Sequence, residues 1–227
     1  MHKPNETEFE NYEYDEFYRD HHFAPVSPDK VTVMHRHIPR VAWILDVAKE
    51  IKAKKILDLG CLDGFALMTV LAQIPGTTGT GVDLSEDGIK YATQNAATHR
   101  LDATFILGSL EDYLEDNHEL FDLIIMSEVI EHVEDPVAVL RAIKSTLDPD
   151  GTLLITTPAF ESPMFGMDDE RNKCHVRLYT TKAKGYSAVN KYGTKRKATS
   201  MVQELKDYEI IDMDVNNELI HVRAING

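Results

Sequence analysis

The segment SEVIEHVEDP, residues 127–136, places carboxylates and an imidazole directly after the apolar run FDLIIM. If residues 128–133 form a helical turn, Glu128 lies three residues before Glu131 and four before His132, so the three side chains share one face. Two carboxylates and one imidazole leave open positions for water or a substrate oxygen. This set suits Mg²⁺ or Mn²⁺, and Zn²⁺ or Fe²⁺ are also compatible with it. The candidate metal ligands are therefore Glu128, Glu131 and His132, with His175 from CHVRLYT as a fourth.

The same segment offers groups for proton transfer. His132 or His175 can act as a general base near neutral pH, which makes both of them candidate catalytic residues. Glu134 and Asp135 have a simpler explanation, because they precede Pro136 and negative charges are favoured in the first turn of a helix.

A second set of candidate residues follows the apolar run KKILDL. The segment ILDLGCLDGF places Asp58, Gly60 and Gly64 at the end of this run. Glycines there let the chain turn sharply and let a ligand approach the backbone, and the N-terminus of the following helix meets the same ligand. Asp83, in GVDLS, stands 23 positions after Gly60, where an acidic side chain can bind both hydroxyls of a ribose.

The spacing of Asp83 alone would suit a nicotinamide-dependent enzyme equally well. The glycine pattern distinguishes the two cofactor classes. Dinucleotide-binding proteins use G-x-G-x-x-G to fit a pyrophosphate, whereas GCLDG reads G-x-x-x-G. The pattern favours a cofactor without a pyrophosphate, and an NAD-dependent oxidoreductase is the alternative of another class.

These loops resemble those of the class I S-adenosylmethionine-dependent methyltransferases, in which the first loop usually reads L-D-L-G-C-G-x-G. The chain departs from that pattern at Leu62, where the family generally has glycine. The family often has an acidic residue at the position of Ser109, so an adenine contact here would come from a hydroxyl or from backbone. The resemblance implies that S-adenosyl-L-methionine is bound by residues at four strand ends: Asp58, Gly60, Cys61, Gly64, Asp83, Leu84, Ser109, Leu110, Ser127 and Glu128.

The segment EVIEHVEDP, followed later by HVRLYT, resembles the ubiquinone-biosynthesis O-methyltransferases, which bind a divalent cation through E-x-x-E-H. It also resembles the small-RNA 3′-terminal 2′-O-methyltransferases, which use two glutamates and two histidines, although their richer histidine motif is missing here. Many metal-free methyltransferases of the class also have E-H at this place. The resemblance implies O-methylation of a small hydroxylated or anionic metabolite, with or without a divalent metal, and an RNA end is the alternative acceptor.

The elements that position these residues follow from the apolar pattern. Apolar runs predict five strands, and helical periodicity predicts the helices between them. The strands are 54–59, 78–84, 103–108, 121–127 and 152–157, and the helices are 38–52, 65–74, 85–99 with Ser85 as N-cap, and 136–147. DPDG, residues 148–151, is predicted as a turn. YEIIDMDV and LIHVRAI flank Asn216-Asn217 and predict a C-terminal antiparallel hairpin.

The resulting fold class is α/β. We expect a Rossmann-like seven-stranded, mostly parallel sheet with helices on both faces. Residues 1–32 are acidic and tyrosine-rich and predict an arm or a lid. The methyltransferase domain occupies 33–227 and contains an insertion at about 158–207.

The insertion has an unusual charge distribution. No acidic residue occurs between Arg171 and Gln203, whereas nine basic residues do. Since the whole chain has a net charge of −14, this segregation suggests a site for an anionic substrate, and a solvated loop is the alternative.

Composition limits the remaining possibilities. The net charge of −14 argues against a protein that coats nucleic acid, because such binding depends on neutralised phosphates. Cys61 and Cys174 lack the spacing of a metal finger or a disulfide framework. No apolar run reaches the roughly 18 residues of a membrane span, and the N-terminus lacks the pattern of a signal peptide. These features predict a cytoplasmic protein, and the small-molecule acceptor is what the resemblance implies.

Overall fold

Parallel strands and the loops at their carboxyl ends supply the frame for the candidate residues. The computed structural model describes residues 39–162, 166, 175–189, 191–216 and 218–226. The predicted arm lies outside the described residues, as do Cys174 and Asn217. The chain divides into two compact units, residues 1–113 and 114–227.

The first unit contains three parallel strands and their helices. Strand β2 pairs in parallel with both β1 and β3, with Leu59 opposite Val82 and Asp83 opposite Leu107. The loops that follow these strands therefore begin at the same level of the sheet. The elements in chain order are α1 (Pro39–Ile51), β1 (Lys55–Leu59), α2 (Phe65–Gln73), β2 (Thr78–Asp83), α3 (Glu86–His99), β3 (Ala103–Leu107) and α4 (Leu110–Asp116), which crosses the boundary between the units.

Two helix starts in this unit have serine caps. Ser85 accepts a hydrogen bond from the N–H of Gly88 at 3.1 Å, which confirms it as the N-cap of α3. Helix α4 was not among the predicted elements. Its start is marked by Ser109, whose hydroxyl oxygen accepts from the N–H of Asp112 at 3.0 Å. A serine followed three residues later by an acidic residue is a known start signal.

The second unit contains the rest of the main sheet and a smaller sheet. Strands β4 and β5 are parallel, and β10 is antiparallel to both β5 and β9. The main sheet has the strand order β3-β2-β1-β4-β5-β10-β9, which confirms the predicted seven strands and C-terminal hairpin. The elements are β4 (Phe121–Ser127), α5 (Pro136–Thr146), β5 (Leu147–Pro158), β6 (Leu178–Thr180), β7 (Tyr186–Val189), β8 (Lys195–Ser200), α6 (Met201–Glu204), β9 (Tyr208–Asn216) and β10 (Leu219–Asn226).

Residues 148–151 were predicted as a turn, and this is wrong, because they belong to β5. Phe121 pairs with Leu147, whereas Leu123 pairs with Thr152, so two steps along β4 correspond to five along β5. The turn-forming residues therefore lie in an irregular, bulged part of a strand, where proline and glycine are tolerated.

The predicted insertion contains regular structure rather than loop alone. Strands β6, β8 and β7 form a separate three-stranded sheet in that order, with β6 parallel and β7 antiparallel to β8. Leu178 and Ala198 of this small sheet are buried with Phe160, and Tyr186 packs against them. The strands have between three and six residues, and their basic composition gave no apolar pattern to predict them.

No helix in the described part of the chain is both long and apolar enough to cross a membrane.

Gly64, between β1 and α2, offers a test of how closely the loop after β1 packs against Phe105. Its φ is 73°, and a Cβ there would lie 2.6 Å from Cε1 of Phe105. Gly76 has a φ of 80° and open space around the same position. Gly64→Ala should therefore combine left-handed strain of about 1–2 kcal/mol with overpacking of about 1–3 kcal/mol, whereas Gly76→Ala adds only the strain.

Urea unfolding of both variants measures the difference. We expect the larger loss of unfolding free energy for Gly64→Ala. Equal losses would show that the ring of Phe105 moves aside at no cost.

Candidate functional site

The loop after β1 passes three times through left-handed backbone. Gly60, Leu62 and Gly64 have φ angles of 74°, 48° and 73°. Glycine adopts this conformation readily, whereas leucine is strained in it. This explains why a glycine is usual at the position of Leu62 in the methyltransferases that the loop resembles. Here the N–H of Leu62 donates to Oδ2 of Asp83 at 2.8 Å, which holds the loop in place.

Asp83 connects the loops after β1 and β2. While Oδ2 accepts from Leu62, Oδ1 accepts from the N–H of Ser85 at 2.8 Å. Each carboxylate oxygen has a second lone pair, so the predicted bonds to ribose hydroxyls are chemically compatible with these contacts. The structure thus gives Asp83 an additional role in fixing the loop.

Asp58 is a buried carboxyl group in β1, with 2% of its surface exposed. Burial, followed by the charge of Asp83, raises the pKa of Asp58 to about 7, against smaller opposing effects of the Leu67 N–H and Arg40. Its Oδ2 atom is buried and has no hydrogen-bond partner among the described residues. Because a buried carboxylate is costly unless it is paired, this position fits a cationic group of a ligand.

Cys61 lies in the loop after β1, three residues beyond Asp58. Burial raises the pKa of the Cys61 thiol, and the nearby carboxylates of Asp58, Asp83 and Asp63 raise it further. A thiol in this environment stays neutral and is a poor nucleophile. A Cβ at Gly81 would lie 2.7 Å from its sulfur, so close packing explains the glycine at that position.

The other predicted cofactor residues of this unit surround the ends of β2 and β3. Leu84 is 52% exposed, and Leu107, which lies opposite Asp83 in the sheet, is 52% exposed as well. Ser109 uses its hydroxyl oxygen to cap α4, which leaves its O–H available as a donor. Leu110 is the first residue of that helix.

In the second unit, the donor atoms of Glu131, His132 and His175 all lie within 4.8 Å of one another. The rings of the two histidines have centroids 5.0 Å apart and planes at 65°. Glu131 is 1% exposed, and its Oε2 accepts from the hydroxyl of Thr157 at 2.9 Å. One carboxylate and two imidazoles form a donor set that suits a divalent transition metal.

Glu128 does not belong to this three-residue cluster. Its φ is 59°, and the turn that follows has hydrogen bonds from His132 to Val129 at 2.9 Å and from Val133 to Ile130 at 3.4 Å. The expectation of one helical face for Glu128, Glu131 and His132 is therefore wrong, because the backbone at residue 128 is not helical. The roles of Glu128 as metal ligand or cofactor contact remain predictions.

Thr156, in the neighbouring strand β5, binds the end of β4. The N–H of Glu128 donates to the Thr156 carbonyl at 2.9 Å, and the hydroxyls of Ser127 and Thr156 are 2.8 Å apart. These contacts fix the end of β4, and the predicted contact of Ser127 with the cofactor remains a prediction.

His175 joins the cluster because the chain around it is bound to the turn after β4. The N–H groups of Val176 and Arg177 donate to the carbonyl of Glu131 at 2.9 and 3.2 Å. The Arg177 guanidinium donates to the carbonyls of Val133 and Glu134. Sequence reasoning did not identify Thr157 or Arg177, because their partners are distant in the chain and no local pattern indicates them.

Asp135 lies at the start of α5 as its N-cap, and the prediction that the acidic residues beside Pro136 lie in the first turn is wrong, because that turn contains no acidic residue. The Oδ1 of Asp135 accepts from the N–H of Ala138 at 3.0 Å and caps α5. Glu134 has an exposed side chain.

Comparison with known proteins shows the family and the fold. A family model described as a methyltransferase domain matches residues 50–209. A ubiquinone biosynthesis O-methyltransferase of Glaesserella parasuis serovar 5 is 34% identical over 122 residues, which cover 52% of this chain and 51% of that protein. The chain thus spans about half the length of the curated relatives it matches.

Solved structures show the same fold. An O-methyltransferase family protein from Burkholderia thailandensis has a TM-score of 0.60 at 15% identity, covering 88% of this chain and 58% of that one. An S-adenosylmethionine-dependent methyltransferase from Clostridium acetobutylicum has a TM-score of 0.59 at 14% identity, covering 86% and 97%. At these identities the likeness concerns the fold.

The buried carboxyl of Asp58 predicts a pH dependence of stability. Its pKa rises from 3.8 to about 7 on folding, so between these values the folded protein keeps a proton that the unfolded chain releases. Stability then falls as pH rises through this window and levels off above it. Asp58→Asn removes this penalty, so its stability relative to wild type should increase from about pH 4 to about pH 7 and then stay constant.

Urea unfolding across this pH range measures the effect. The matched control is Asp46→Asn, at an exposed position of α1, which also removes one negative charge. A difference between Asp58→Asn and wild type that does not vary with pH would contradict the prediction.

Proposed function

The chain belongs to the S-adenosylmethionine-dependent methyltransferases, and on this premise we propose that it O-methylates a small hydroxylated or anionic metabolite. The Glu131–His132–His175 cluster carries the proposal. A hydroxyl acceptor has to lose its proton during transfer, and the cluster offers both general bases and metal ligands for that step. The relatives that match over about half of their length are ubiquinone biosynthesis O-methyltransferases, which supports the same reaction class.

When bound, the cofactor would supply a methyl group from its sulfonium: a bond from the acceptor oxygen to the methyl carbon would form while the carbon–sulfur bond breaks, the neutral thioether leaves and the acceptor loses its proton. The protein contributes mainly by positioning, since orientation of two bound reactants supplies a large part of such accelerations. His132 or His175 accepts the proton, either directly or through one water. Glu131, held by the Thr157 hydroxyl, would stabilise the imidazolium that results.

Alternatively, the donor set fits a bound divalent metal, which would lower the pKa of the acceptor hydroxyl in place of a histidine base. We propose Glu131, His132 and His175 as its ligands. Two imidazoles and one carboxylate suit Mn²⁺, Fe²⁺ or Zn²⁺ better than Mg²⁺, which prefers oxygen ligands. The preference for a metal with nitrogen affinity distinguishes this proposal from a site built on two carboxylates.

For the cofactor, we propose that the acidic loop after β1 receives the cationic part of S-adenosylmethionine. The cofactor has an ammonium and a sulfonium group, and the buried Oδ2 of Asp58 is placed to balance positive charge. The exposed side chains of Leu84 and Leu107 offer apolar surface for the adenine. The hydroxyl of Ser109 would donate to a ring nitrogen.

The small basic sheet supports an anionic acceptor. Exposed Lys195 and Lys197 share one face of β8, and the sequence from 171 to 203 has no acidic residue. The same observation favours an RNA end as a second candidate acceptor. Strongly salt-dependent binding of a single-stranded oligonucleotide would favour RNA, whereas no binding would leave the small metabolite.

Cofactor binding should depend on pH through Asp58. A cation beside its carboxylate lowers the carboxyl pKa, so cofactor binding releases a proton. The affinity for the cofactor should therefore increase by up to about tenfold for each unit that the pH rises, until about pH 7. Calorimetric titration with S-adenosylmethionine from about pH 5.5 to about pH 8, in two buffers of different ionisation enthalpy, measures both effects. Asp58→Asn should bind more weakly at high pH and show a flat profile.

The outcomes of this titration are separable. If neither S-adenosylmethionine nor S-adenosylhomocysteine binds, the proposed function fails. If the cofactor binds with the same affinity at every pH, only the role of Asp58 fails.

Metal binding should depend on the three clustered ligands. Glu131→Gln, His132→Ala and His175→Ala should each lower Mn²⁺ affinity more than about tenfold, because each removes a ligand, and loss of a supporting contact alone costs about 10–100-fold. Mn²⁺ titration followed by electron paramagnetic resonance measures this. His118→Ala, at an exposed position of the same unit, is the matched control.

Glu128→Gln distinguishes the two possible ligand sets. It should change Mn²⁺ affinity less than His175→Ala does. The opposite order would favour the sequence-derived set of Glu128, Glu131 and His132 over the cluster.

A further inference from the structure

Arg177 binds the turn that holds two of the three clustered side chains. We propose that Arg177 is a positioning residue, which keeps His175 beside Glu131 and His132 by holding its chain segment on that turn. This inference rests on the proposed metal-binding function of the cluster.

The contacts of Arg177 converge on a short stretch of backbone. Its N–H donates to the Glu131 carbonyl at 3.2 Å, next to the bond that Val176 donates to the same oxygen at 2.9 Å. Its guanidinium donates to the carbonyls of Val133 and Glu134. Four hydrogen bonds thus join residues 176–177 to residues 131–134, and the fork of the guanidinium suits two neighbouring carbonyls.

His175 depends on this connection because it lies 43 residues after His132 in the chain. No helix or strand of the described residues contains His175, since β6 begins at Leu178. Its imidazole nevertheless lies with its centroid 5.0 Å from that of His132. The bonds of Val176 and Arg177 therefore hold the segment that carries His175 on the turn that carries His132.

The position of the small sheet is linked to the same bonds. Strand β6 starts one residue after Arg177. Its Tyr179 is buried, and the charges of Glu204, Arg177 and Glu131 influence the pKa of the Tyr179 hydroxyl, which burial raises. A metal bound by His175 together with Glu131 and His132 would hold residues 175–177, which precede β6, on the turn after β4. A ligand that binds only one conformation stabilises that conformation. Metal binding should therefore also stabilise the contact between residues 175–177 and the turn.

The sign of the effect separates positioning from simple electrostatics. Arg177 is a cation near a proposed cation site, so its charge alone disfavours metal binding. If charge were its only influence, removing the guanidinium would raise metal affinity. If Arg177 positions His175, removing the guanidinium lowers the affinity.

Titration of Mn²⁺ into four proteins tests the inference: wild type, Arg177→Met, His175→Ala and the double variant. Arg177→Met keeps the aliphatic stem and removes the donors, and we expect it to lower Mn²⁺ affinity about 10–100-fold. In the His175→Ala background the same substitution should leave the affinity unchanged or raise it, because no ligand remains to be positioned. Lys206→Met, at an exposed position of the same unit, controls for the loss of a positive charge.

Amide exchange in the metal-free protein gives a second readout. Arg177→Met should speed hydrogen exchange at the N–H of Val176 at least about tenfold, because the bond to Glu131 opens more often. Lys206→Met should leave this exchange rate unchanged.

Each result has a definite meaning. Higher Mn²⁺ affinity in Arg177→Met, equal losses in both backgrounds, or unchanged exchange at Val176 would overturn the inference. If wild type binds no Mn²⁺ while exchange at Val176 accelerates in Arg177→Met, the metal proposal fails and the positioning of His175 stands.

Discussion

A carboxylate that leaves water has to be matched by donors or by positive charge, and each unit of this protein contains one that is almost completely buried. Asp58 is 2% exposed and Glu131 is 1% exposed. Burial raises the pKa of Asp58 to about 7, and its Oδ2 has no hydrogen-bond partner among the described residues. Glu131 is bound by the Thr157 hydroxyl and lies against two imidazoles. The proposed cofactor and metal sites are each built around one of these two groups.

The two sites differ in how the chain constructs them. The loop after β1 is local: its glycines, its left-handed Leu62 and the bond from Leu62 to Asp83 involve neighbouring strands of one unit. The Glu131–His132–His175 cluster is non-local, because it needs a segment that returns to the turn after β4. The backbone carbonyls of that turn serve as its acceptors, so the turn both carries ligands and receives the chain that brings the third one.

Charge is divided along the chain in a way that suits the proposed reaction. Carboxylates surround the glycine loop, where a cationic cofactor would bind, whereas the small sheet β6-β8-β7 is basic. Glu161, three residues after the end of β5, accepts from the hydroxyls of Thr180 and Tyr186 of the small sheet at 2.8 and 2.7 Å. These bonds fix the end of β5 to the small sheet, so the basic strands form a defined surface rather than a loop.

The sequence by itself determined the features that depend on near neighbours. The parallel strands, the cap at Ser85, the glycine loop and the C-terminal hairpin follow from apolar runs, capping side chains and turn residues. Tertiary structure decided the rest. DPDG lies inside a bulged strand, short basic segments form a sheet, and the cluster contains His175 but not Glu128. The physical reason is distance along the chain: a cap is satisfied within three or four residues, whereas the bonds of Arg177 join groups more than forty residues apart, and only packing determines which of them meet.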